Sequence, residues 1–172
     1  MCIRDRLLIV WHSRTGAARQ LAEAAARGAV AAAAQLEQPD ALRVVLRRAA
    51  EVDADLLLAS QGYLFCAPEN LASLSGEMKE CFDRNYYAVL DRIQGLPYGC
   101  AISAGSDGAG AARQVERICT GWRLKPVAPA LIVNLGAQTA EQILAPKTVR
   151  EGDLARCEEL GGLLAGIVLM GT

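Results

Sequence analysis

Residues 7–11, LLIVW, form a short uninterrupted apolar run, the pattern of a strand buried on both faces. Polar and small residues follow at once (His12, Ser13, Arg14, Thr15, Gly16), and then an alanine-rich stretch, 17–35, has the composition of a long helix. After a breaker at Pro39, residues 42–46 read as a second strand. Asp53 is placed to cap a short helix over 54–60. Gln61 and Gly62 break the chain, and 63–66 form a third strand ending at Pro68. A loop, 69–74, leads into a helix that sets Met78, Cys81, Phe82 and Tyr86 on one face. Residues 98–103 read as a fourth strand, 104–110 as a glycine-rich loop, 111–122 as an amphipathic helix and 130–134 as a fifth strand. The stretch 135–152 is expected to be irregular. A last helix starts near Asp153, with Leu154, Cys157, Leu160, Leu164 and Ile167 at helical spacing.

Strands alternating with helices imply an α/β domain, a five-stranded parallel sheet with helices on both faces and right-handed crossovers. No repeat or linker divides residues 1–172, so one domain is expected. In such sheets ligands bind beyond the carboxyl ends of the strands, where the strand order reverses. With the order 2-1-3-4-5, strands one, three and four are neighbours. The loops at 13–18, 69–74 and 104–110 then converge on one crevice.

A buried strand, a hydroxyl-rich turn and a helix start make a phosphate site on physical grounds. The first helical N–H groups are free, and the helix dipole favours an anion. Ser13 and Thr15 add hydroxyls, and Gly16 permits close approach or positive φ. No GxxxxGK[ST] string exists in the chain, and the turn has one glycine where a dinucleotide fingerprint needs GxGxxG. An ordinary strand-to-helix turn capped by Ser or Thr accounts for the same residues.

The Ser-x-Thr-Gly turn at 13–16 resembles the FMN phosphate loop of flavodoxin-like proteins. The stretch 65–83, FCAPENLASLSGEMKECFD, resembles the third-strand region of NAD(P)H-dependent FMN and quinone reductases of that fold, matching at Pro68, Ser75, Gly76, Lys79 and Asp83. The likeness runs in order through nearly the whole chain and implies a flavodoxin-like three-layer sandwich. It further implies an oxidoreductase that holds FMN and passes electrons from NADH or NADPH to a quinone or similar small acceptor. On that resemblance, Ser13, Arg14, Thr15, Gly16, Ala17 and Ala18 hold the phosphate. Pro68, Glu69, Asn70, Leu71 and Ala72 lie along the ring, and Ser103, Ala104, Gly105 and Gly108 close the other side. The chain departs from the family where Thr or Asn usually closes the phosphate loop (here Ala18) and where Gly and Asn are frequent in the second loop (here Ala72 and Ser73). A hydroxyl introduced at position 18 is expected to reach the phosphate. Two other readings stand beside this one, a flavodoxin-type electron carrier and a domain that has lost flavin and acts through protein contacts.

No side chain need act as acid or base in such chemistry, so no catalytic residue is assigned. His12, the one histidine, reads as a strand-end residue hydrogen-bonded near the phosphate loop. Asp107 reads as a solvated loop charge, and Glu69 either as the same or as a group shaping ring electronics. Tyr86 and Tyr87 read as packing residues on a helix that offers a homo-oligomer surface.

Charge narrows the partners. Eighteen Lys and Arg face nineteen Asp and Glu, a net charge of −1, which leaves no footprint for nucleic acid or a membrane surface. Electron carriers of this size are usually strongly acidic, which favours the enzyme. The six cysteines contain no CxxC pair, so no zinc site is expected, and Cys66 and Cys100 read as small core hydrophobes. No signal-like h-region or membrane-length run is present, and a cytoplasmic location is expected. The opening MCIRDR is an unusual start for a buried strand, so residues 1–5 are set aside as a non-native start.

Overall fold

The computed structural model describes residues 4–171. Its elements are β1 (Asp5–Trp11), α1 (Ala17–Gln35), β2 (Leu42–Arg48), a 3-10 turn (Ala49–Glu51), α2 (Ala54–Leu58) and β3 (Gly62–Asn70). There follow β4 (Ser73–Leu74), α3 (Gly76–Val89), β5 (Pro97–Ala104), α4 (Ala109–Gly121), β6 (Lys125–Pro126), β7 (Leu131–Asn134), α5 (Ala140–Leu144) and α6 (Glu151–Met170).

The parallel sheet runs β2-β1-β3-β5, and β6 and β7 share the edge beside β5. With the short β6 and the antiparallel β4 set aside, this is the 2-1-3-4-5 order of the sequence reading. The fifth strand is broken because Pro126 and Pro129 lie in it, and proline cannot donate to a ladder. β6 pairs with Pro97 and Tyr98, and β7 with Ala101 to Ala104.

Side chains alternate across the sheet as a period of two requires. Leu7, Ile9, Leu64 and Cys66 face α1 and α6, while Leu8, Val10, Tyr63 and Phe65 face α2, α3 and α4. On the second face Phe65, Phe82 and Trp122 pack together, with ring centroids 4.7 Å apart for the phenylalanines and 5.2 Å for Phe82 and Trp122. On the first face α1 and α6 meet without intervening side chains at two glycines. A β-carbon on Gly28 would lie 1.9 Å from the Glu158 carbonyl oxygen, and one on Gly161 would lie 1.9 Å from that of Ala25. The alanine-rich composition of α1 thus serves close packing of two helices as well as helix propensity.

Three sequence expectations change. Met1 to Ile3 lie outside the described residues, but Asp5, set aside above, is the first residue of β1 and pairs with Leu42. The stretch 135–152 holds α5, closed by a reciprocal cap in which Gln142 N–H donates to Thr139 Oγ1 and Thr139 N–H to Gln142 Oε1. Its Thr-x-x-Gln spacing is the capping-box signature. The loop expected at 69–74 is a continuation of β3 that turns tightly into β4. Among the described residues no helix is long and apolar enough to cross a membrane.

Candidate functional site

The carboxyl ends of β1, β3 and β5 lie side by side, with Trp11 opposite Cys66 and Pro68 opposite Ser103. The three loops singled out in the sequence leave from these ends.

In the first loop Gly16 has φ +98° and Ser13 Oγ accepts its N–H at 3.1 Å. The left-handed conformation is what a glycine supplies at low cost. Among the described residues, the N–H groups of Ala17, Ala18 and Arg19 meet no acceptor. Arg14 is exposed and makes no ion pair among the described residues, and Thr15 is half-buried. Free helical N–H groups, two hydroxyls and one guanidinium form a donor set that suits a phosphate. Ala18 is 1% exposed, so a larger side chain there meets protein first, contrary to the expectation of a free reach to an anion.

Sequence reading missed what holds this loop. Gln20 Nε2 donates to the carbonyls of Gly16 (3.0 Å) and Lys147 (2.7 Å), and Gln20 Oε1 accepts the Val149 N–H (2.9 Å). Lys147 N–H donates to the Thr15 carbonyl at 2.8 Å. The stretch before α6 therefore straps the phosphate-type loop. No local signal announces a contact between residues so far apart in the chain.

The second loop is a two-residue hairpin. Glu69 pairs with Leu74 and Asn70 with Ser73, while Leu71 and Ala72 take φ +52° and +63°. Positive φ at both central positions is the pattern that favours Asn-Gly, and Leu-Ala there is strained. The hairpin leans on α4. The Glu69 carboxylate accepts the N–H of Gly108 (2.9 Å) and of Ala111 (3.1 Å), and the Leu74 N–H donates to Gln114 Oε1 (2.8 Å). Glu69 is thus the cap of α4, the role of neither sequence alternative. Pro68, Glu69 and Asn70 are half-buried, and Leu71 is fully exposed at 100%.

In the third loop Ser103 and Ala104 are buried, and Gly108 starts α4 at φ +99°. Gly105 lies under the chain that follows β7. Its carbonyl accepts the Ala137 N–H at 2.9 Å, and a β-carbon on it would sit 2.8 Å from the Ala137 oxygen. The Ser103 hydroxyl makes no hydrogen bond among the described residues. Asp107 is exposed and accepts the Ala109 N–H at 3.2 Å.

His12 joins the first loop to α3. Its Nδ1 lies 2.8 Å from Ser75 Oγ, and its Nε2 lies 3.0 Å from Glu77 Oε2. One neutral tautomer satisfies both: the Ser75 hydroxyl donates to Nδ1 and the Nε2–H donates to Glu77. Burial lowers the His12 pKa, the Glu77 carboxylate raises it and the Arg14 guanidinium lowers it, with a net downward shift. Lys79 and Asp83 pair with each other on the exposed face of α3, at 2.7 Å. Tyr86 packs on the core, and Tyr87 is 85% exposed. Cys66 and Cys100 are buried, and burial pushes both thiols up; a hydrogen bond with Cys157 is the larger cause at Cys66.

Comparison with solved structures settles the architecture. The chain superimposes on an oxidoreductase from Corynebacterium diphtheriae with a TM-score of 0.75, covering 98% of this chain and 99% of that one at 19% identity. An archaeal flavodoxin gives 0.74, over 95% and 99% of the two chains at 17% identity. The fold is flavodoxin-like. A WrbA-like flavodoxin from Agrobacterium tumefaciens matches as well, with a TM-score of 0.66 over 98% and 99% at 18% identity. No protein-family model matches the sequence, and no curated protein is significantly similar to it. At these identities the likeness is one of fold. In this flavodoxin-like fold the three loops described above occupy the carboxyl end of the sheet, the side on which open α/β sheets bind ligands.

Proposed function

We propose that the protein is an FMN-dependent oxidoreductase that passes electrons from NADH or NADPH to a quinone or similar small acceptor. The observation that carries this reading is the donor set of the first loop. Ser13, Arg14, Thr15 and the open N–H groups of Ala17, Ala18 and Arg19 stand at the switch point of a flavodoxin-like sheet. Bound FMN would supply the redox centre, with the net reaction NAD(P)H, a proton and quinone giving NAD(P)+ and hydroquinone.

The chain's own contribution is binding and enclosure. The first loop holds the phosphate, and its strap through Gln20 and Lys147 fixes the geometry before the ligand arrives. The small residues Ser103, Ala104 and Gly105, buried or covered by the chain after β7, close one side. Pro68, Glu69, Asn70, Leu71 and Ala72 shape the other side as a hairpin fixed to α4, with Glu69 spent on the helix cap and Leu71 offered to solvent. The net charge of −1 favours a small acceptor over docking to a basic protein partner. In the same reading the exposed Tyr87 on α3 belongs to a homo-oligomer contact.

Titration of the purified protein with FMN tests the reading, with quenching of flavin fluorescence near one equivalent as the expected result. Stopped-flow mixing with NADH or NADPH should then bleach the flavin. Bleaching by a one-electron donor alone, and by neither nucleotide, would assign the protein as an electron carrier. Absence of quenching at micromolar protein would reject flavin binding altogether.

A further inference from the structure

Arg113 and Arg117 lie one turn apart on α4, both exposed, and among the described residues neither guanidinium has an ion-pair or hydrogen-bond partner. Gly110, Arg113, Gln114 and Arg117 are spaced i, i+3, i+4, i+7, so they form one stripe of the helix. That stripe faces the tip of the β3–β4 hairpin. Together with Ala72, Ser73 and Ile118 it encloses an open concavity of about 420 Å³.

The walls of this concavity are fixed by contacts that have little slack. A β-carbon on Gly110 would lie 2.1 Å from the Ala72 carbonyl oxygen, so helix and hairpin touch through backbone alone. The Leu74 N–H donates to Gln114 Oε1. The one carboxylate that reaches the helix from the hairpin, Glu69, is already taken up by the N–H groups of Gly108 and Ala111. Glu116, between the arginines in sequence, is exposed and pairs with neither among the described residues. The concavity therefore presents two uncompensated guanidinium groups, a serine hydroxyl and an amide beside an apolar floor.

Guanidinium groups bind phosphate through paired N–H donors, and two at helical spacing can share one dianionic group. Ala72 belongs to the second loop and Gly110 to the first turn of α4, just after the third loop, so the concavity adjoins the crevice assigned above to the flavin. We infer that Arg113 and Arg117 receive the 2′-phosphate of NADPH, making this the site that selects NADPH over NADH. The inference rests on the oxidoreductase reading and names its nucleotide. The hydroxyl of Ser73 and the free end of Gln114 supplement the arginines, and Ile118 supplies apolar contact for the adenosine.

The nucleotide fragment 2′,5′-ADP carries the distinguishing phosphate and needs no flavin, so it probes the site separately from the cofactor. Calorimetric titration of the full chain should show 2′,5′-ADP binding at least tenfold more tightly than 5′-AMP. In the double variant R113A/R117A this preference should vanish. Both side chains are exposed, so circular dichroism should match wild type; R117E, alone, gives a second variant in which the preference should fall below twofold. With FMN present, the ratio of kcat/KM for NADPH over NADH should drop at least tenfold in R113A/R117A. Equal binding of the two fragments, survival of the preference in both variants, or equal competition by inorganic phosphate without adenosine would overturn the assignment. Each of those results can occur while FMN binds and NADH bleaches it, which leaves the oxidoreductase reading standing. Conversely, absence of FMN binding with an intact 2′,5′-ADP preference would reject that reading and keep the arginine site as one for a phosphorylated adenosine.

Discussion

His12 Nε2 and Glu77 Oε2 lie 3.0 Å apart, and the contact ties the end of β1 to the first turn of α3. The other ring nitrogen is engaged by the buried Ser75, so the imidazole is held from both sides. The loop that follows His12 is the one with the phosphate-type donor set. His12 therefore anchors the start of that loop to α3.

His12 has a folded-state pKa below its ordinary value, chiefly because burial disfavours the charged ring. The unfolded chain then binds more protons near the ordinary histidine value of about 6.5, so stability rises with pH there. Its contribution is fully present above that value and is lost as pH falls through the folded-state pKa. Thermal unfolding followed from about pH 5 to about pH 8 should show this acid-side loss, and His12→Gln should flatten it. A variant whose acid limb matches wild type would show that other groups dominate.

The contact of α1 with α6 yields a second expectation. Alanine at Gly28 or Gly161 gains about 1 kcal/mol of helix propensity. It also drives a β-carbon to 1.9 Å of a carbonyl oxygen on the opposite helix. Overpacking of that kind costs roughly 1–3 kcal/mol, so each substitution should lower stability in urea unfolding. The double variant should cost less than the sum, because the first substitution already separates the helices. Gly166, on the same helix with nothing within 4 Å of its β-carbon position, should tolerate alanine with a gain of up to about 1 kcal/mol.

The hairpin offers a test of strain. Ala72 sits at φ +63°, where a β-carbon costs about 1–2 kcal/mol. Ala72→Gly removes that cost and adds unfolded-state entropy worth about 0.4–1 kcal/mol. The net should be a gain between about 0 and about 1.6 kcal/mol, read as an equal or higher midpoint in denaturant. Glu69→Ala should do the reverse, losing about 0.5–2 kcal/mol with the cap of α4. An unchanged midpoint for Glu69→Ala would show that water replaces the carboxylate there.

Gly16→Val should abolish FMN quenching while far-ultraviolet circular dichroism stays close to wild type. Gly16 has φ +98°, and its β-carbon position is 3.5 Å from the Gln20 amide nitrogen that fastens the strap. A branched side chain resists that φ and displaces Gln20. Retained affinity for FMN would move the phosphate away from this loop.

The sequence by itself determined the five main parallel strands, most of the helices and where the first and third loops leave the sheet, but not the β3–β4 hairpin or the short β6. Those features follow from local patterns: the apolar run at 7–10, the alternation of Tyr63 and Phe65 with Leu64 and Cys66, and glycines at Gly16 and Gly108 where φ is positive. α5 is also legible in its Thr139–Gln142 capping-box spacing, although the chain around it is polar. Tertiary structure decided what the charged and polar side chains do. Glu69 caps a helix about forty residues away in sequence, Gln20 fastens a strap from the far end of the chain, and His12 bridges to α3. A polar side chain can satisfy itself equally well with water, with a ligand or with any backbone group brought near it. Its partner is therefore fixed only when packing of the apolar faces has set the distances, and no local periodicity encodes that choice.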